Sequence, residues 1–152
     1  MNVFRLIRKK YSNSLDGKGA AKYGNRWNSK GTEIIYTADN RALAMAEIAV
    51  HLTFATLPKD FLMMEIDIPE ELKIKKLELK ELNECWKKHP PDKSTQKIGD
   101  DFIDCADETI LKVPSAIVQG DFNYLINPRH LDFEQIKITD SRGFPFDQRL
   151  FK

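Results

Sequence analysis

Hydrophobic and polar positions change period several times along this chain, and the changes mark its elements. Val3, Arg5 and Ile7 alternate with Phe4, Leu6 and Arg8, so Asn2–Arg8 reads as a strand with Arg5 set among apolar neighbours. Residues 9–22 are polar, contain Gly17 and Gly19, and read as a loop. Gly24 and Asn25 form a turn signal that delivers Arg26 and Trp27; residues 28–31 make a second turn, and EIIYT at 33–37 is a short strand. The run at 42–52 is apolar on all sides, the pattern of a buried helix. Asp39 or Asn40 is its N-cap, because either side chain accepts from the first free amides, and Leu57-Pro58 ends it.

Further on, 61–68 (FLMMEIDI) is a strand with Glu65 and Asp67 on its wetter face, and 74–77 is a shorter one. Residues 79–88 read as a helix fragment carrying Trp86, broken by His89-Pro90-Pro91. Ser94 caps a helix expected over 95–111, whose acidic run from Asp100 to Glu108 is a solvated face. Residues 116–119 and 122–126 form a hairpin around Gly120-Asp121, and 133–139 holds a last short strand. The tail at 140–152, with Phe144, Phe146, Leu150 and Phe151, is apolar enough to pack back on the sheet or on a partner. Short strands mixed with unequal helices, and no internal repeat or linker, predict one α+β domain over residues 1–152.

Composition narrows the classes. A length of 152 residues fits a single domain. A net charge of +1 lacks the basic excess of a general nucleic-acid or membrane binder. The 42–52 run falls short of the roughly 20 residues that cross a bilayer, and the N-terminus lacks the apolar core of a secretory signal. Cys85 and Cys105 form no C-x-x-C, and His51, His89 and His130 are dispersed, so no metal is expected. The chain reads as a reduced, cytoplasmic protein whose two thiols are packing residues.

The chemistry concentrates on few side chains. Glu47 sits in the middle of the apolar helix, and a glutamate there needs either a partner or a cleft. His51, one turn on, is a hydrogen-bond partner at i, i+4. Arg26, at the end of a glycine turn, is either a surface arginine stacked on Trp27 or an anion clamp. Tyr36 is either strand packing or a ring contact, and Ser115 a turn serine or a hydrogen-bond donor. No G-x-S-x-G supports a serine hydrolase. Arg5 is costly to bury and is a second candidate anion ligand; Asn127-Pro128-Arg129-His130 is an active-site loop or a strand terminator.

Together these residues resemble the RES domain family, the toxins of Xre–RES toxin–antitoxin pairs, named for an Arg, a Glu and a Ser. The matching positions are Arg26 in G-N-R-W, Glu47 in A-x-A-E-x-A and Ser115 in V-P-S-A, with Tyr36 ten residues after Arg26 and eleven before Glu47. F-R-L at Arg5 and the Y-L-I-N-P-x-H segment are further points of similarity. The resemblance implies a fold like that of ADP-ribosyltransferase toxins, a split and strongly bent β-core around an NAD cleft. It implies NAD breakdown by hydrolysis or phosphorolysis, or ADP-ribosyl transfer, held in check by a helix-turn-helix Xre antitoxin, with the toxin commonly a homodimer in the complex.

Nicotinamide leaves as a neutral pyridine from a cationic pyridinium, so cleavage of its ribose bond needs no general acid and one carboxylate suffices. Glu47 would stabilise the oxocarbenium-like sugar. Arg26, with Arg5, would hold the pyrophosphate, Tyr36 the nicotinamide ring, and Ser115 the nicotinamide or its ribose. Two other classes remain: a partner-binding module without catalysis, and a toxin acting on RNA. Near-neutral charge weighs against RNA, and the costly Glu47 weighs against a pure binding module.

Overall fold

The structure, a computed structural model, describes residues 1–151. Among the described residues there are seven strands: β1 (Asn2–Arg8), β2 (Ile35–Ala38), β3 (Phe61–Asp67), β4 (Ile74–Lys76), β5 (Ile110–Pro114), β6 (Phe122–Ile126) and β7 (Lys137–Gly143). Three α-helices accompany them: α1 (Lys18–Tyr23), α2 (Arg41–Ala49) and α3 (Lys93–Cys105). The strands form one mixed sheet in the order β4-β5-β6-β2-β1-β3-β7, parallel only between β4 and β5. The expected α+β class holds.

The sheet is weakly joined at its centre. β1 pairs with β3 along its whole length, from Asn2↔Asp67 to Arg8↔Phe61, but meets β2 only at Phe4↔Ala38. Beyond that pair the facing edges of β1 and β2 are not laced together, and a cleft occupies the space. Alternation along the strands sends side chains to opposite faces. Val3, Ile35, Met64, Ile66 and Tyr124 build a core on one face. On the other, Phe4, Leu6, Ala38 and Met63 pack under α2, and Trp27, Leu111, Leu125 and Trp86 pack under α3.

α2 departs from the expected all-round buried helix. It ends at Ala49 and buries fully only Leu43 and Ala44, while Ala42 and Val50 are exposed. Small apolar residues tolerate either environment, and the helix lies against β1 and β2 by one stripe only. Its cap is Asn40, whose Oδ1 accepts from Leu43 N at 2.8 Å.

Other boundaries moved for identifiable reasons. The supposed loop at 9–22 contains the start of α1. The helix fragment at 79–88 is only a 3-10 turn at Leu79–Glu81, although Trp86 is buried as an aromatic of that size should be. α3 stops at Cys105, with Ala106 left-handed at φ 51°, so Ile110 and Leu111 belong to β5. A short apolar run fits either period, and here pairing with β4 and β6 decides. The strand expected at 116–119 is therefore 110–114. The residues after it turn instead, because Ser115 Oγ accepts from Ile117 N (3.1 Å) and Val118 N (3.0 Å).

Asp100 leaves the solvated acidic face of α3 to accept from Ser29 N (3.0 Å) and Ser29 Oγ (2.5 Å). Both cysteines are exposed rather than packed: α3 turns Phe102 and Ile103 inward and ends on Cys105, and Cys85 sits in a turn. The last strand reaches Gly143, and Phe144 and Phe146 fold back on the core, Phe146 edge-on to Phe61 at 5.4 Å. Lys152 lies outside the described residues.

Candidate functional site

The cleft has a volume of about 840 Å³. Phe4, Arg5, Leu6, Ile7 and Arg8 line it consecutively, as expected where one edge of β1 lies open. β2 contributes Tyr36, Thr37 and Ala38, α2 contributes Ala44, Glu47 and Ile48, and Lys87, His89 and Pro91 come from the segment before α3.

Arg26 reaches the cleft on a loop with its own scaffold. Gly24, at φ 71°, takes the left-handed backbone that ends α1, and Asn25 and Asn28 close the loop by exchanging backbone bonds. Trp27 is buried against Trp86, their rings 6.2 Å apart. Asn28 is buried too, its Nδ2 donating to the carbonyls of Ala20, Ser29 and Thr32. The Tyr36 hydroxyl accepts from Trp27 N at 2.9 Å and donates to Asn28 Oδ1 at 2.8 Å. Burial pushes that hydroxyl far above the usual phenol range, so it stays protonated and acts as a fixed strut. Its ring faces the cleft; its hydroxyl is spent on the Arg26 loop.

The Arg26 guanidinium donates through Nη1 to Trp86 O (2.6 Å) and Lys88 O (3.0 Å). Burial lowers its pKa, against the opposing pull of the Glu47 carboxylate. Arg5 is more deeply set; Nη1 donates to Asp16 O at 3.0 Å, and burial lowers its pKa against the pull of Asp16.

Glu47 resolves the anomaly of a carboxylate in an apolar helix. It follows Leu43 and Ala44 by one turn, so it continues the buried stripe of α2 to the point where the sheet opens. Oε1 accepts from Ser115 Oγ at 3.0 Å and from Asn123 Nδ2 at 2.7 Å. Oε2 has no protein donor among the described residues. Glu47 is the only carboxylate among residues lining the cleft, against Arg5, Arg8, Arg26 and Lys87, of which Arg8 is paired to Asp60. The cleft therefore suits an anionic ligand presented to one oriented carboxylate.

The structure gathers Arg5, Arg26, Tyr36 and Glu47 on the cleft wall. Ser115 is buried behind Glu47 and is not among the lining residues. His51 does not bond to Glu47: α2 has already ended, the ring lies 6.4 Å from that of His89, and both are exposed residues lining the cleft. The Asn127–His130 segment is a strand terminator away from the cleft, Asn127 donating to Ile103 O and accepting from Arg129 N. Asn123 went unnoticed in the sequence. Its one signal is an amide on the inward face of a strand otherwise built from Phe, Tyr, Leu and Ile. Among the described residues no group of three or more His, Cys, Asp or Glu side chains is placed to hold a metal, and no helix is long and apolar enough to cross a membrane.

Comparison with known proteins shows the family of the chain. The chain is 37% identical to a protein named Toxin Res from Photorhabdus laumondii, over 100% of this chain and 98% of that protein. It is 34% identical to the Prs ADP-ribosylating toxin of a Sphingobium species, over 93% and 89% of the two chains. A chain in the crystal structure of the M. tuberculosis MbcT-MbcA toxin–antitoxin complex shares the fold, with a TM-score of 0.74, 18% identity, and coverage of 99% of this chain and 86% of that one. The RES domain profile matches residues 2–147, and the chain belongs to the RES domain family.

Proposed function

We propose that the chain is the toxin of a toxin–antitoxin pair and that residues 1–152 act as one RES-type domain that cleaves the nicotinamide–ribose bond of NAD in the cytoplasm. The observation that carries this reading is Glu47: one carboxylate, its Oε1 fixed by two donors and its Oε2 left free, facing an otherwise cationic and aromatic cleft.

As the C1′–N bond breaks, both bonding electrons leave with nicotinamide, which departs neutral and needs no proton. Positive charge develops on the sugar, and the fixed Glu47 carboxylate stabilises it without reorganising. Water then adds to C1′ and gives up one proton to solvent, or a phosphate oxyanion adds in its place. Ser115 acts by orienting Glu47 rather than by touching the ligand, and Tyr36 offers its ring to the nicotinamide while its hydroxyl holds the Arg26 loop. Arg26 and Arg5 meet the pyrophosphate. An Xre-type helix-turn-helix antitoxin would cover the cleft, with the toxin a homodimer within the complex.

Incubating the purified chain with NAD should release free nicotinamide, measured by chromatography. No release would return the chain to the class of partner-binding modules. Running the assay with and without phosphate separates phosphorolysis from hydrolysis. A second reading, ADP-ribosyl transfer to a protein, is favoured by the relative named an ADP-ribosylating toxin; labelled ADP-ribose appearing on protein would support it.

Arg26→Lys should raise the Michaelis constant for NAD about tenfold. Nη1 already serves the carbonyls of Trp86 and Lys88, so Nε and Nη2 remain for an anion. A single ammonium cannot hold that segment and present a fork as well. An unchanged Michaelis constant would argue against the clamp.

A further inference from the structure

The cleft has a closed end and an open one. It is closed where β1 and β2 meet, at Phe4↔Ala38, and Glu47 stands at that end, because its donor Asn123 is registered against Ala38. From Phe4, β1 runs through Arg5 to Arg8, about 13 Å on at the usual rise per residue, and a 3-10 turn at Lys9–Tyr11 follows. α1 stands at this open end. Its N-cap, Gly17, lies so close to the Ile34 backbone, just ahead of β2, that a Cβ would not fit.

Only one side of α1 borders the cleft. Gly19, Ala20 and Tyr23 line it, and Lys18, Ala21 and Lys22 do not. At about 100° per residue the three lining positions share one arc of about 100°, so the helix turns two small residues and an aromatic one to the cleft. A Cβ built on Gly19 meets no atom within 4 Å, although glycine is a poor helix former and nothing in the protein crowds the position. Tyr23 is 71% exposed, and Tyr11, which lines the same end, is 60% exposed. The ring partner of each is the ammonium of the lysine before it, Lys22 at 5.2 Å and Lys10 at 5.0 Å.

We propose that this open end is an adenine subsite, in which Tyr23 and Tyr11 offer ring faces and Gly19 leaves the room that the base fills. The proposal deepens, and rests on, the reading that the cleft takes NAD. Glu47 at the closed end receives the nicotinamide riboside, and Arg5 and Arg26 receive the pyrophosphate. The adenosine half then extends past Arg5, in the direction β1 runs, toward Tyr11 and α1. Adenine is flat and uncharged, and an exposed tyrosine at a cleft rim suits it by stacking. Gly19 sets how large a group the cleft admits beyond the pyrophosphate. The result is selection for a dinucleotide over a mononucleotide that carries the same scissile bond.

The test compares NAD with nicotinamide mononucleotide, which has the same nicotinamide–ribose bond and one phosphate but no adenosine. Nicotinamide release is followed for both. The parent chain should show kcat/KM about tenfold or more higher for NAD, as stacking of one base predicts. Gly19→Leu should erase most of that preference by raising KM for NAD. Its melting temperature should equal or exceed the parent's, since the added Cβ meets no protein atom and leucine favours the helix. Tyr23→Ala should erase the preference too, whereas Tyr23→Phe, which keeps the ring, should retain it. If Gly19→Leu slows both substrates by one factor, or slows neither, the proposal falls while the NAD reading stands. Equal kcat/KM for the two substrates in the parent has the same consequence. A preference untouched by Tyr23→Ala also overturns it and leaves the exposed tyrosines to another occupant, such as the antitoxin. No nicotinamide from either substrate overturns both readings. Should Gly19→Leu melt below the parent, the two Tyr23 variants decide, because that ring is exposed and its removal leaves the core intact.

Discussion

Glu47→Gln is expected to slow nicotinamide release by about 10²-fold or more while leaving the melting temperature close to that of the parent. The two halves of that expectation have separate causes. The amide oxygen of Gln can still accept from Ser115 Oγ and Asn123 Nδ2, so the wall keeps its hydrogen bonds. Only the charge is lost, and the amide nitrogen then turns toward the ligand. A preorganised group facing developing charge contributes about 3–4 kcal/mol in comparable sites, which corresponds to roughly 10²–10³ in rate. Chromatography of nicotinamide against time, beside a thermal melt, measures both. A variant with parental turnover would remove Glu47 from the mechanism and leave it a structural carboxylate.

Gly99→Ala should destabilise the fold by about 2–3 kcal/mol despite placing the best helix former inside α3. The helix interior gains about 1 kcal/mol from the change. Against it stands geometry: a Cβ at position 99 would lie 1.5 Å from Trp27 O and 2.6 Å from Trp27 C. No rotamer relieves a clash with backbone at 1.5 Å, so either α3 or the Arg26-Trp27 loop must move, and the cost lies at or above the upper end of the range of about 1–3 kcal/mol typical of overpacking, which the helix gain offsets only in part. For a chain of this size the melting temperature should fall by about 5–10 °C. The loop that moves also carries Arg26, so the Michaelis constant for NAD should rise in the same variant although position 99 is not among the cleft-lining residues. A melting temperature equal to or above that of the parent would show that the contact with Trp27 is not as close as the backbone places it.

Patterning carried most of the elements and little of their edges. β1 was legible from its alternation, β3 from an apolar run stopped by Pro69, and β6 from a short apolar run after the Gly120-Asp121 turn. β5 was not, since Ile110 and Leu111 continue the helical spacing of Ile98 and Phe102, and only pairing with β4 and β6 pulls them into a strand. Ser115 illustrates the same limit. Its hydroxyl stops β5 and orients Glu47 at once, and neither role is visible in a serine after a proline. His51 fails in the opposite way: its spacing from Glu47 is right for one helical turn, but α2 has ended before it.

The sequence by itself determined which residues are expensive to place. A glutamate in an apolar helix and an arginine in an apolar strand each demand an explanation whatever the fold, because burying charge without partners is costly in any arrangement. Tertiary structure alone decided that these costs are met in one place. The sheet is laced at a single pair between β1 and β2, so Arg5, Tyr36 and Glu47 open onto the same gap. Convergence of this kind depends on contacts between residues far apart in the chain, such as Glu47 with Ser115 and Asn123. No local period encodes such contacts; they exist only once the sheet order and register are set.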